Sequence, residues 1–424
     1  MKQASFGHIF SLYLGLFAFG SLVFPKLTAL LVILLLVLVV TGYIRKEISW
    51  KLNRPALFMI LLYLAYLVGI CFAHELANGL KYAEYKLGLL AIPLLLSVKP
   101  KFRLKFQWPV IGLLLGTLVI AGIGIMSSCN CYERNQWVLQ CFSSSYISPV
   151  HHPSYFACFL LFATFCAWHG FRQKWKGFSL ATVIPYTIFA FLFYFFCLSL
   201  AAMLFLGMVL MIWLIYRVYR RLGKWVAFSV IILGPLVLFL ILSVLPGIKD
   251  DVKVTKAGIS EYVSDPQSFL KKRLNDDAIP GNQKRLVMWT VTTELILEHP
   301  LGVGTGNVDG YLFGRLNQYG FHQLVADDLN PHNQYLQTTL EIGIVGLLLL
   351  LGIIVSCFYT AIKKRSILLL ILISGLAFNM LFESMLQRQS GVVFYGFWIP
   401  VMILAIADAQ KNTVNKNVED GEKA

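Results

Sequence analysis

Charge is what this chain has least of. Of its 424 residues 13% are Asp, Glu, Lys or Arg and 58% are hydrophobic, with a mean hydropathy of +0.71. A soluble domain carries about 25% charged residues, so an ordinary soluble enzyme is excluded and a polytopic membrane protein is predicted. Acidic residues are the scarcer sign, 21 against 36 Lys and Arg, giving a net charge of +15. That excess sits in short connections between apolar runs, the habit of cytoplasmic membrane loops, so no nucleic-acid partner is expected. Carboxylates at the middle of the apolar runs are nearly absent, which argues against an ion-coupled transporter. There is no G-x-S-x-G hydrolase signature. Gly302-Val303-Gly304-Thr305-Gly306-Asn307 lacks the G-x-G-x-x-G spacing and no strand precedes it, so it reads as a flexible turn without a dinucleotide role. Asp327-Asp328 and His151-His152 are adjacent pairs without further ligands, so no metal and no cofactor are expected, and the histidines are read as interface packing.

Cysteine is sparse too. Five of the eight (Cys71, Cys158, Cys166, Cys197, Cys357) lie in apolar runs and read as small core residues. Cys129, Cys131 and Cys141 share one loop, where at most one bridge, to Cys141, is expected.

What the chain does have is apolar length. Twelve runs can be counted, at roughly 6–24, 27–43, 55–73, 86–98, 107–127, 153–169, 178–197, 199–216, 225–245, 338–359, 366–382 and 390–408. Most reach the ~20 residues that cross a bilayer. The run at 86–98 does so only if its helix starts in the polar stretch before it. The expected fold is therefore all-α, a polytopic bundle of about 12 transmembrane helices with an uncleaved first span. Alternate connections hold eighteen Lys/Arg and the others five (Lys26, Lys81, Lys86, Arg134, Arg388), which predicts cytoplasmic termini.

Residues 1–245 then hold nine spans, 246–337 form one large, mainly helical periplasmic loop, 338–409 hold three spans, and 410–424 are a disordered cytoplasmic tail. A polar loop of that length is too long for a mere connector. Within it, Asn282 to Glu298 has helical character, with Leu286, Trp289, Thr293, Ile296 and Leu297 near one face and Pro300 as the stop.

The loop ends in Asn330-Pro331-His332-Asn333-Gln334-Tyr335-Leu336, which looks like a helix start, with Asn as cap and Pro in the first turn. A helix N-terminus attracts anions and disfavours an imidazolium, which suits His332 to accept a proton there. Arg285 is the candidate for gripping a diphosphate, because a guanidinium fork matches phosphate oxygens. Lys86 and Arg388 stand out as rare bases on the outer side. Glu383 and Glu341, near outer span ends, are placed to orient a base or a hydroxyl.

These residues resemble a known family. Pro331 to Leu336 followed by Glu341-Ile342-Gly343-Ile344-Val345-Gly346 is similar to the signature of the O-antigen ligase family of membrane glycosyltransferases. Arg285-x-x-x-Trp289 with His299-Pro300-Leu301-Gly302-Val303-Gly304, His152-Pro153-Ser154-Tyr155, and Glu383 through Arg388 to Gly391 resemble further features of it. The resemblance implies glycan transfer from an undecaprenyl-diphosphate carrier to an acceptor such as lipid A core, at the periplasmic face of the bacterial inner membrane. It implies His332 and Arg285 as catalytic, and Lys86, Arg388, Trp289, Asn333 and Glu383 as substrate-binding. Many relatives carry an arginine after a serine at the start of the eighth span, where this chain has Ser199-Leu200. An O-antigen or capsule polymerase and a protein O-oligosaccharyltransferase share the pattern; a lipid-glycan flippase is the alternative of another class.

Overall fold

The computed structural model describes residues 2–135, 138–226, 228–229, 231, 233–234, 248–274, 279 and 281–421. Helices follow the apolar runs because a bilayer offers backbone N–H and C=O groups no partner except each other. The first half of the chain forms α1 (Lys2–Val23), α2 (Thr28–Ile44), α3 (Arg54–Ile70), α4 (Leu76–Lys86), α5 (Gly88–Leu95) and α6 (Gln107–Arg134), then α7 (Pro153–Arg172), α8 (Leu180–Phe196) and α9 (Leu200–Leu222). Seven helices among the described residues are long and apolar enough to cross a membrane, and Arg54–Ile70, Leu180–Phe196 and Ile367–Asn379 are apolar but shorter. Large side chains such as Ile33, Val37, Ile212 and Trp213 stay exposed on α2 and α9. An apolar belt of that kind is a lipid-facing surface, and the chain is a multi-pass, all-α membrane bundle.

Some boundaries differ from expectation. The run at 86–98 is the end of a longer rod: α4 starts at Leu76 and passes into α5 through Leu87, whose φ of −55° and ψ of −28° are helical. Its last residues, Val98–Pro100, form a strand instead. The expected span at 225–245 lies for the most part outside the described residues. The last helix runs on to Gly421 where a disordered tail was expected from Gln410, since extending an existing helix costs far less than nucleating one.

Two three-residue strands, Ile48–Trp50 and Val98–Pro100, pair antiparallel with Ser49 opposite Lys99. They bind two Lys/Arg-rich connections into one side of the bundle. Close crossing holds the bundle together: a Cβ on Gly112 of α6 would stand 2.0 Å from the carbonyl oxygen of Gly15 on α1, so only glycine lets these backbones meet.

The long polar segment folds into α10 (Ile248–Ser264), α11 (Pro266–Arg273), α12 (Gly281–Glu298) and α13 (Val308–Gln318). They close on a core of their own, with Phe269, Val287, Met288, Val291, Leu312 and Leu316 inside. The buried face of α12 is thus Val287–Met288–Val291–Leu295, and Leu297 on the expected face is 77% exposed. Polar residues such as Gln283, Thr290, Thr293 and Glu294 are mixed with the apolar ones around the helix, so the neighbours packed on it decide which side is covered. After this lobe come α14 (Gln334–Lys363), α15 (Ile367–Asn379) and α16 (Gln389–Gly421).

Helix α14 is interrupted at Ile342 (φ −132°, ψ 23°) and Gly343 (φ 70°, ψ −169°). The ribbon from Pro300 to Asn307 fills the gap. Val303 and Gly304 donate their N–H groups to the carbonyls of Leu340 and Glu341, and Ile344 donates to Pro300. The ribbon is also tied to the end of α3, where Thr305 N–H bonds the Gly69 carbonyl, Thr305 Oγ1 the Tyr66 carbonyl and Asn307 Nδ2 the Phe72 carbonyl. The segment expected as a flexible turn is a fixed plug, because it supplies the partners that a broken membrane helix loses.

Candidate active site

Helix α14 begins three residues later than the sequence suggests. His332 has a φ of 46°, a left-handed conformation that no turn of a right-handed helix accepts. The cap is therefore Asn333: its Oδ1 accepts from the N–H of Leu336 at 3.1 Å and its Nδ2 donates to the Leu381 carbonyl at 3.2 Å. Both ends of that side chain bond to the fold. Asn330 Oδ1 instead accepts the N–H of His332 at 2.8 Å, an Asx turn that presents the imidazole.

Facing His332 is the connection between α15 and α16. Glu383 Oε2 lies 3.4 Å from His332 Nδ1 and 3.8 Å from His152 Nδ1. The connection is pinned from three sides. Tyr155 donates its hydroxyl to the Ser384 carbonyl at 2.7 Å, Gln334 Oε1 accepts the N–H of Leu386 at 2.6 Å, and the N–H of Gln334 bonds the Met380 carbonyl at 2.8 Å. Glu383 is only 5% exposed. Burial works to raise its carboxyl, yet the bond from His332 and the charges of His152, His332 and Arg285 outweigh it and hold the group below the usual carboxylate range. His152 is shifted downward too, which for a base favours the neutral form. Burial lowers it, with Arg388, His332 and Arg285 adding to the effect and Glu383 opposing it. Its Nδ1 is buried without a hydrogen-bond partner.

Arg285 projects from the first turns of α12, and the next turn is anchored: Trp289 Nε1 donates to the Pro331 carbonyl at 2.9 Å. That bond draws the arginine-bearing helix onto the His332 turn and makes Trp289 a brace of the site. Arg388 is exposed and near enough for its charge to bear on His152 and Tyr155. Among the described residues neither guanidinium has an ion pair, which leaves both free to take an anion.

Lys86, expected as a substrate contact, is elsewhere. It is fully buried, with Nζ 3.0 Å from Glu341 Oε1, 3.2 Å from Gln387 Oε1 and 4.5 Å over the Tyr66 ring. A lone buried ammonium is prohibitive, and the carboxylate of Glu341 is what makes this one tolerable. Among the described residues the pair is linked to the site through Gln387, the neighbour of Arg388.

His152, expected as half of a packing pair, lies beside Glu383. Its one signal was the His152-Pro153-Ser154-Tyr155 run, whose tyrosine pins Ser384 beside Glu383. Together His332, Glu383, His152, Arg285 and Arg388 form an imidazole backed by a buried carboxylate, with cationic groups at its margin. That arrangement can take a proton and hold an anion.

No curated protein matches the chain in sequence. Residues 185–351 match the family model described as O-Antigen ligase. The matched stretch runs from α8 into α14 and holds Arg285, Trp289 and His332, while His152, Glu383 and Arg388 reach the site from outside it. The match covers about two fifths of the chain and supports its assignment to the O-antigen ligase family, membrane glycosyltransferases of the ligase and polymerase type.

Proposed function

We propose that the protein moves a glycan from an undecaprenyl-diphosphate carrier to an acceptor hydroxyl, with lipid A core as the expected acceptor, at the periplasmic face of the bacterial inner membrane. The observation that carries this is the His332–Glu383 pair, 3.4 Å apart, beside guanidiniums that have no ion-pair partner among the described residues. Glu383 accepts from His332 Nδ1–H and so leaves Nε2 to receive the acceptor's proton. The acceptor oxygen attacks the anomeric carbon, the bond to the diphosphate breaks, and its electron pair leaves on the diphosphate. Arg285 and Arg388 meet the charge that grows there. A single displacement of this kind inverts the anomeric centre.

Two features support the outer face. The connection from α6 to His152 is tied to the last turn of α6 by a Cys131–Cys141 disulfide, a bond that persists in oxidising compartments. The Lys/Arg-rich connections joined by the two strands are those that the positive-inside rule assigns to the cytoplasm. The flippase reading is disfavoured by the plug in α14, since the broken helix faces protein backbone and not a transport cavity.

The test is transfer by purified full-length protein from an undecaprenyl-diphosphate-linked glycan. His332→Ala should lose about 10²–10⁴-fold in rate, and Arg285→Ala about 10²–10³-fold. Full activity in either removes that residue from the mechanism. Lipid A core, a growing glycan and a serine-containing peptide offered side by side separate the ligase from the polymerase and the protein transferase.

A further inference from the structure

A cleft lies between α4 with the turn before it and α13. Its volume is 810 Å³, within the roughly 300–1,000 Å³ of ligand sites. We infer that this cleft is a saccharide subsite, holding sugar units that lie beyond the bond being made. The inference rests on the glycosyl-transfer reading above and adds a binding site to it.

The walls have the chemistry of hydroxyl recognition. One wall offers His74, Glu75, Asn78 and Tyr82, and the other Asn307, Asp309, Tyr311 and Gln318. Carboxylates accept two hydroxyl protons, amides give and accept, and tyrosine offers an apolar face with a polar tip. These groups are already positioned by one another. Tyr82 donates its hydroxyl to Asp309 Oδ2 at 2.5 Å, Asn78 Nδ2 donates to Glu75 Oε2 at 2.8 Å, and His74 Nε2 lies 3.3 Å from the Tyr311 hydroxyl. Binding therefore has little ordering left to do.

Charge narrows the ligand class. Glu75, Asp309 and Asp328 line the cleft together with Lys81 and Arg315. Arg315 is already held in a two-pronged pair by Glu298, at 3.0 and 2.6 Å. No cationic surplus remains for a diphosphate, and a polyhydroxylated ligand without net charge fits best.

Helix α13 adds an independent sign. It presents Gly310 and Gly314 to this cleft, and a Cβ at either would meet nothing within 4 Å. Both have helical backbone, so neither packing nor conformation asks for glycine there. Glycine inside a helix costs stability, and what it preserves here is open space above the helix. Two residues link the cleft to the site: Asp328 lines it four residues before His332, and the ring of Tyr82 lies 5.2 Å from the Lys86 ammonium that bonds Gln387, the neighbour of Arg388.

Sugar units in this cleft can come from the carrier-linked glycan or from a glycan acceptor. The test measures binding to full-length protein in detergent of two lipid-free probes: repeat-unit oligosaccharide released from the carrier by mild acid, and delipidated core oligosaccharide from the same cells. Wild type should bind at least one, and the probe that binds names the source. Gly314→Trp, which fills the cleft, and Asn78→Ala, at an exposed position indifferent to folding, should each weaken that binding about tenfold or more. His332→Ala should bind as wild type, and inorganic diphosphate should not compete. Unchanged binding by both cleft variants, displacement by diphosphate, or no binding of either probe by wild type would overturn the subsite. Transfer by His332→Ala would instead overturn the catalytic reading and leave the binding result standing.

Discussion

His151 and His152 are chain neighbours with opposite duties. His151 is 4% exposed and staples three elements: its Nε2 is 2.8 Å from the Leu22 carbonyl at the end of α1, and its Nδ1 is 2.8 Å from Ser390 Oγ at the start of α16. His152, one position on, turns toward Glu383. Adjacent side chains diverge, and a sequence shows the divergence without showing which ring goes where. Burial pushes His151 down from its ordinary 6.5 to about 4. Between these values the unfolded chain takes up a proton that the folded chain refuses, so stability rises with pH there and is lost on acidification. From pH 6.5 down to 4 the loss through this one group should approach about 3 kcal/mol. Thermal melting in detergent checks it: His151→Gln should flatten the slope over that window, and an unchanged slope would assign the acid sensitivity to other groups. Buried Glu383 adds its own loss at lower pH, as acid reaches its depressed carboxyl.

At the scale of elements, most helices can be read from apolar length, because that length is a local property. The break in α14 cannot. Glu341-Ile342-Gly343-Ile344 reads as unbroken membrane helix, with no proline to warn of a kink, and the interruption exists only because a ribbon from Pro300 to Asn307 inserts beside it. Gly343, at φ 70° and ψ −169°, occupies backbone space that is essentially closed to other residues, and a Cβ there would stand 2.5 Å from the Leu301 carbonyl carbon. Gly343→Ala should therefore cost about 1–3 kcal/mol, seen as a lower melting temperature. A variant as stable as wild type would mean that α14 runs straight. The pairing of His332 with Glu383 is hidden for the same reason, since 51 residues and a helix hairpin separate them. The His-Asn motif and the isolated Arg285 are local, and were open to sequence reading.

Over the whole molecule, two faces are distinguished by charge and by chemistry. The strand pair gathers two Lys/Arg-rich connections, and at their end of the bundle Leu104 N–H bonds Asp408 near the close of α16. At the other end lie the Cys131–Cys141 bridge, the lobe and the His332 cluster. A membrane-impermeant maleimide applied to cells with permeable outer membranes should label Cys131 and Cys141 after mild reduction. Protection until the inner membrane is opened would invert the proposed topology. The plug in α14 carries one more consequence. Seven hydrogen bonds stitch Pro300–Asn307 to α14, to the end of α3 and to His74. At about 1 kcal/mol each, swinging the lobe away as a lid would forfeit most of a small domain's stability. The lobe behaves as a roof nailed to its walls, and reactants must slide in beneath it from the flank.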